Sequence, residues 1–421
     1  MDHSFIFIIL ACGFGLFMTW GVGANDLANV MSTTMGSRAI SVRQAIIIAV
    51  IFEFAGAFLA GGGVTETIRH GIFDVQLLSS QPETLIYGML AVLLAGSTWM
   101  LFASYQGLPV SITHTIIGSI IGFAVSSIGV DAVNWDEVSL IGASWLSSPI
   151  IAAIFAYGLF LSIQHFILGT ATPLKNAIRY APFYLFAVGL IMSITTVLKG
   201  ICHLGMHLAV WSSIAIAICT AFLTLGVGTF LIRRLKLKAT CPEGDSLHTQ
   251  FIQSERIFAV LMLFTACAMV FAHGSNDVAN AVGPMATIMS IVQHEGKIVI
   301  DNLMPHWILF MGCSGVVIGF LMYGRKVIAT VGGNITTLTP SRAFAATLAA
   351  AATVVFATTT GIPVSATQTL VGAVLGVGLA RGIGALNLRV IRNIFMSWII
   401  TLPAGALLTI IYFHLFQFLF K

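Results

Sequence analysis

Apolar runs of about twenty residues recur from one end of this 421-residue chain to the other. That is the length an α-helix needs to cross the hydrocarbon of a bilayer. A helix is also the one open structure that satisfies all its backbone polar groups there without a partner strand. The runs fall at about 5–35, 43–62, 84–103, 107–129, 138–163, 181–198, 206–232, 256–292, 305–323, 342–358, 361–380 and 394–417. Only 8% of residues are charged and 58% are hydrophobic, against roughly a quarter charged in a soluble domain. Alternating stretches of ~10 residues, the mark of a membrane β-barrel, do not occur. The 41 glycines suit helices that pack closely in lipid. The expected fold is therefore all-α, a polytopic membrane protein with about 12 membrane segments.

The net charge of +4 comes from basic residues gathered in short loops. Arg38 and Arg43 follow the first run, Lys175 and Arg179 the fifth, and Arg233, Arg234, Lys236 and Lys238 the seventh. Arg325, Lys326 and Arg342 lie between the ninth and tenth, and Arg381, Arg389 and Arg392 between the last two. Glu66, Asp74, Glu83, Asp131, Asp136 and Glu137 sit in the alternate loops. Basic loops stay in the cytoplasm, which places both termini outside and argues against nucleic-acid binding. The six cysteines are scattered without a CxxC and read as packing residues. Met-Asp-His-Ser at the start lacks a basic region, so no cleavable signal is expected.

One motif occurs twice. Gly23-Ala-Asn-Asp-Leu-Ala-Asn-Val30 and Gly274-Ser-Asn-Asp-Val-Ala-Asn-Ala281 are 251 residues apart. Each places an aspartate, Asp26 or Asp277, inside an apolar run. A carboxylate in hydrocarbon costs ~2.5 kcal/mol or more, so it marks function by default. Both runs exceed 30 residues, so interrupted helices are expected. Loop charge makes the copies run in opposite directions, the inverted-repeat plan of secondary transporters. Asn25, Asp26 and Asn29, and likewise Asn276, Asp277 and Asn280, share a helical neighbourhood through i, i+4 spacing. Their oxygens are hard ligands suited to Na⁺, or the carboxylates accept protons. Asp26 and Asp277 are then the metal-contacting pair if the ion is Na⁺. The bland alternative is polar glue between helices, which does not require an acid.

A second motif is also doubled. Gly107-Leu-Pro-Val-Ser-Ile-Thr-His-Thr115 matches Gly361-Ile-Pro-Val-Ser-Ala-Thr-Gln-Thr369, and Ser144-Trp145 matches Ser397-Trp398. Pro is favoured in the first helical turn, so Pro109 and Pro363 are expected to start helices. Helix N-termini suit oxyanions. Ser111, Thr113, Thr115, Ser365, Thr367 and Thr369, with Gln368, add neutral polar groups. The flanking segments are either full crossings or re-entrant hairpins. Irregular backbone at membrane depth lines a cavity in either case. The competing reading is back-bonding of Ser and Thr within helices.

Glu53 is a third acid in an apolar run, and its nearest repeat counterpart lies around Gly312. It either couples cation or proton movement or partners a nearby donor. His114 and His273 adjoin the motifs and either shuttle protons or pack. Cys202, His203 and His207 have metal-like spacing but make a thin ligand set. The expected domains are a first repeat over 1–170, connecting helices and a cytoplasmic loop over 171–255, and a second repeat over 256–421.

The two doubled motifs resemble the signatures of the PiT family of inorganic phosphate transporters, and the resemblance covers essentially the whole chain. It implies symport of phosphate with Na⁺ or H⁺ in a homodimeric carrier of the inner membrane, with no bound cofactor. By that resemblance Asn25, Asp26, Asn276 and Asp277 sit at cation sites. Ser111, Thr113, Ser365 and Thr367 surround phosphate at two hairpin tips, and Glu53 matches a functional glutamate. Some members carry a second glutamate in the other half, where this chain has Gly312. The long central loop of the animal members is missing, which suits a bacterial carrier. The expected function is cation-coupled phosphate import by alternating access. A sulfate permease of the same fold is the near alternative, and a channel or membrane enzyme the distant one. No nucleophile–base set stands out for an enzyme.

Overall fold

A computed structural model describes residues 4–60, 71–195, 210–235, 247–298, 305–360 and 364–420. Among the described residues each apolar run contributes a helix or helical unit. In chain order these are α1 Ser4–Gly36, α2 Val42–Ala60, α3 Pro82–Gln106, α4 Ile112–Ser127, α5 Trp135–Leu168, α6 Pro173–Thr195, α7 Val210–Arg234, α8 Leu247–Gln293, α9 His306–Tyr323, α10 Pro340–Thr360, α11 Ala366–Ala380 and α12 Leu388–Phe420. Among the described residues there is no strand, only an isolated bridge between Phe73 and Val133. Among the described residues nine helices are long and apolar enough to cross a membrane. Helices α4 and α11 have 16 and 15 residues. At 1.5 Å per residue they reach roughly 22–24 Å, short of the ~30 Å hydrocarbon layer.

Several boundaries move. Helix α6 begins at Pro173 rather than near 181, because Pro fits the first turn and Lys175 and Arg179 extend the helix beyond its apolar stretch. Helix α8 begins at Leu247, nine residues before its apolar run opens. Cys202, His203, His207, Pro363 and the polar run Cys241–Asp245 lie outside the described residues.

The two longest expected breaks are not breaks. In α1 the segment Gly23–Leu27 is a single π turn, and Gly274–Val278 is the same in α8. A π turn widens the helix by one residue without releasing the backbone hydrogen bonds that hydrocarbon requires. Such bulges occur often at functional sites.

Glycines decide how these helices cross. A Cβ on Gly23 would lie 1.7 Å from the Val316 carbonyl oxygen, and one on Gly319 would lie 1.8 Å from that of Trp20. Helices α1 and α9 therefore touch backbone to backbone. Helices α8 and α2 make the same contact. A Cβ on Gly56 would lie 2.1 Å from the Phe271 oxygen, and one on Gly274 would lie 2.4 Å from that of Glu53. Trp20 and Phe271, like Gly23 and Gly274, are 251 residues apart, so one crossing is built twice. By this correspondence the counterpart of Glu53 is Val316, not the expected Gly312, and that of His273 is Val22.

The short helices are exchanged in the same way. Gly118 and Gly122 of α4 press on the Leu402 and Ala406 oxygens of α12, at 2.3 and 2.5 Å from an added Cβ. Gly372 and Gly376 of α11 press on the Pro149 and Ala153 oxygens of α5, at 2.4 and 2.1 Å. Small residues four apart are the usual means of close approach in lipid. Each short helix of one half thus seats on a long, proline-containing helix of the other. This interlocking brings residues near 110 and near 365 to one place.

Candidate functional site

The site starts from the two helix beginnings. The sequence suggested Pro109 as the first residue of α4. The structure corrects this. Ser111 is the N-cap, with extended backbone, and its hydroxyl accepts the His114 amide at 3.3 Å. Ser365 caps α11 in the same way, accepting the Gln368 amide at 3.2 Å. Serine wins because its oxygen satisfies an otherwise orphaned N–H. Pro109 stays in the approach to the helix, where its carbonyl accepts Trp398 Nε1 at 3.1 Å.

Two of the suggested hydroxyls are taken up locally. Thr115 donates to the Ser111 carbonyl at 2.8 Å and Thr369 to the Ser365 carbonyl at 2.7 Å. Here the ordinary back-bonding geometry holds. Thr113 and Thr367 point elsewhere, across the halves. Thr113 donates to the Val364 carbonyl at 3.3 Å, and Thr367 donates to Asp26 Oδ1.

Asp26 is the hub, and it is 1% exposed. Its Oδ2 accepts the Ile112 amide at 3.0 Å, at the start of α4. Its Oδ1 takes the Thr367 hydroxyl from the first turn of α11. The carboxylate thus occupies the place where two helix N-termini converge, a position that favours any anion through free N–H groups and the helix dipole.

Asn25 looks the other way. Its Nδ2 donates to Ser104 Oγ at 3.2 Å and to the Leu108 carbonyl at 2.9 Å, and its Oδ1 accepts the Val110 amide at 3.0 Å. It holds the turn between α3 and α4. Gly107 in that turn has φ +69°, a left-handed conformation that glycine adopts without cost.

The second motif copy is less fully bonded. Asn276 Nδ2 donates to Asp277 Oδ1 at 2.9 Å and to the Val364 carbonyl at 3.0 Å. Asn280 Nδ2 reaches Thr113 Oγ1 at 3.5 Å, the limit of a hydrogen bond. Glu53 Oε1 meets His273 Nδ1 at 2.7 Å, and His273 Nε2 lies 3.7 Å from Asp277 Oδ2, all fully buried. Glu53 therefore has the nearby partner that one sequence reading foresaw. His114 stacks on Trp145 with ring centroids 3.8 Å apart.

The remaining atoms are informative. Glu53 Oε2, Asn276 Oδ1, Asp277 Oδ2, Asn280 Oδ1 and both amide atoms of Asn29 are buried without a hydrogen-bond partner. Buried polar atoms are nearly always satisfied, and an unmet acceptor costs ~1–3 kcal/mol. Five of these six atoms are oxygens on motif residues or Glu53, and His273 Nε2 beside Asp277 has no hydrogen-bond partner either. A cluster of unmet oxygens around carboxylates fits a hard cation or a proton.

Sequence reasoning missed Ser104, the Val364 carbonyl and the Trp398–Pro109 contact. Trp398 was visible as half of a repeated Ser-Trp pair. Ser104 and Val364 carry no sequence signal, because a lone serine and a backbone carbonyl look like any other.

The chain is similar to known proteins over nearly its whole length. A model described as the phosphate transporter family matches residues 22–409. A protein of Haemophilus influenzae named "Putative phosphate permease" is 48% identical over 408 residues, 97% of this chain and 96% of its own length. The Arabidopsis thaliana protein "Inorganic phosphate transporter 2-1, chloroplastic" is 38% identical over 420 residues, 96% of this chain and 71% of its own. A solved structure titled "The sodium-dependent phosphate transporter" superposes with a TM-score of 0.88 at 35% identity, covering 98% of this chain and 99% of that one.

Proposed function

The chain belongs to the phosphate transporter family, and on that premise we propose that it imports inorganic phosphate by symport with Na⁺ or H⁺ through alternating access. The observation that carries this reading is the position of Asp26. A negative side chain sits on two helix starts that are otherwise suited to a free oxyanion. A cation or proton arriving at Asp26 weakens its hold on Thr367 and the Ile112 amide. Those donors then turn to phosphate, with Thr113, Ser111 and Ser365 beside them. Cation binding is thus a precondition for anion binding at one place. The unmet oxygens of Asp277, Asn276, Asn280, Asn29 and Glu53 supply the rest of the cation side.

The charge balance points the same way. Phosphate at neutral pH carries one or two negative charges, and each charge moved across the field is worth ~2.3 kcal/mol per 100 mV. Inward movement therefore requires compensating cations. The doubled crossings and exchanged short helices support two inverted repeats, 1–170 and 256–421, joined through 171–255, that rock about a shared site. In this reading both termini lie outside the inner membrane, and two copies form the carrier. The solved relative's title names sodium, which makes Na⁺ the first ion to try.

The test is uptake of labelled phosphate into proteoliposomes under imposed Na⁺ or H⁺ gradients. Uptake should require one gradient and collapse with Asp26→Asn or Asp277→Asn. Normal transport by both variants would sink the site assignment. Sulfate in excess should compete weakly, since it cannot donate a hydrogen bond to an acid facing the anion.

A further inference from the structure

At the basic end of the molecule, a cavity of about 440 Å³ opens between the C-terminal turn of α7, the third to fifth turns of α8 and the turn joining α1 to α2. Its walls are apolar, formed by Ile40, Leu231, Leu235, Val260 and Leu263. Two cationic side chains, Arg234 and Arg256, and the amide of Gln44 also line it. Neither arginine makes an ion pair among the described residues. Arg234 lies over the Phe230 ring at 4.5 Å, which leaves its N–H edges free.

Helix α7 rests on α6 and turns most of its surface outward. Near the cavity Phe230 is 53% exposed and Val227 43%, on a helix long and apolar enough to cross a membrane. The cavity therefore lies beside an exposed apolar face, with two arginines among its lining residues. A free phosphate ion would leave the leucine walls in contact with water. A neutral lipid would leave two guanidinium groups unmatched. A zwitterionic lipid would bring its own ammonium toward them.

We infer that this cavity binds an anionic phospholipid of the basic-side leaflet, with its phosphate between Arg234 and Arg256 and the start of an acyl chain against Leu231, Leu235, Val260 and Leu263. Basic pockets between membrane helices recognise acidic headgroups in this way, and guanidinium suits a phosphate through paired N–H donors. The lipid bridges α7, which otherwise leans on α6, to α8, which carries Asp277. The inference depends on the chain lying in a bilayer and is independent of what it transports.

The test is native mass spectrometry of the full-length protein in detergent, titrated with phosphatidylglycerol or with phosphatidylcholine of the same chains. Phosphatidylglycerol should be retained and phosphatidylcholine should not. Arg256→Gln should weaken phosphatidylglycerol about fivefold, and Arg234→Gln with Arg256→Gln roughly thirtyfold, at about one kcal/mol per basic side chain. Leu231→Trp with Val260→Trp, which fills the cavity but keeps both arginines, should also lose the lipid. Lipid-free melting temperature checks that each variant is folded. Glycerol phosphate or inorganic phosphate at millimolar concentration should not displace the lipid. Equal retention of the two lipids, affinity within twofold in the double arginine variant, retention by the tryptophan variant, or displacement by inorganic phosphate would each overturn the inference.

Discussion

Replacing Thr367 by valine tests the proposed coupling role of Asp26 against a merely structural one. The substitution keeps the shape and removes a single hydroxyl. That hydroxyl donates to Asp26 Oδ1 from the opposite half of the molecule, at a site 1% exposed. A hydrogen bond to a charged group contributes about 1.5–3 kcal/mol net. If phosphate takes the same donor in the loaded state, its affinity should fall about ten- to a hundredfold, at ~1.4 kcal/mol per tenfold. The cation should respond in the opposite direction. Thr367 competes with it for the carboxylate, so the half-saturating cation concentration should drop. The assay is initial uptake rate in proteoliposomes, with phosphate and the cation varied independently and Thr367→Ser as the rescue control. A structural role predicts a lower maximal rate and melting temperature with both half-saturation values unchanged. A phosphate half-saturation value within twofold of the parent would refute the shared-donor mechanism.

Asn25→Ala removes three hydrogen bonds from the turn before α4 and should cost about 2–4 kcal/mol, read as a lowered melting temperature. Glu53→Val and His273→Val should each destabilise by roughly 3–5 kcal/mol, because each leaves one member of a fully buried pair alone. The double variant should recover most of that loss, since the corresponding positions already hold Val22 and Val316; a denaturation cycle without positive coupling would contradict this. Gly23→Ala should abolish folded expression through its 1.7 Å approach to the Val316 oxygen, whereas Gly142→Ala, with nothing within 4 Å, should be neutral or slightly stabilising.

The division between the two halves of the site is instructive. Asp26 and Asp277 were legible as costly acids in apolar runs, and Ser111 and Ser365 as repeated polar positions. Their neighbours were not. Thr367 reaches Asp26 over a separation of 341 residues and Trp398 reaches Pro109 over 289. A repeat with one fixed offset says that two copies exist. It does not say whether each helix packs within its own copy or across to the other. The place of Glu53 shows the same limit. Counting along the chain puts its counterpart at Gly312, while the glycine contacts of Gly23 and Gly274 put it at Val316. Spacing drifts between repeats, but a backbone crossing does not.

Hydrophobicity, length and charge alone determined an all-helical membrane protein, because hydrocarbon leaves a chain few ways to satisfy its backbone. The doubled motifs also pointed to a carrier with acids at its centre. Tertiary structure decided what those acids touch. Which helix starts, which hydroxyls cap and which cross over depends on glycine-lined contacts between the halves. Those contacts give the two aspartates different surroundings: Asp26 is seated on two helix N-termini, and Asp277 lies beside a buried Glu53–His273 pair with oxygens left unmet.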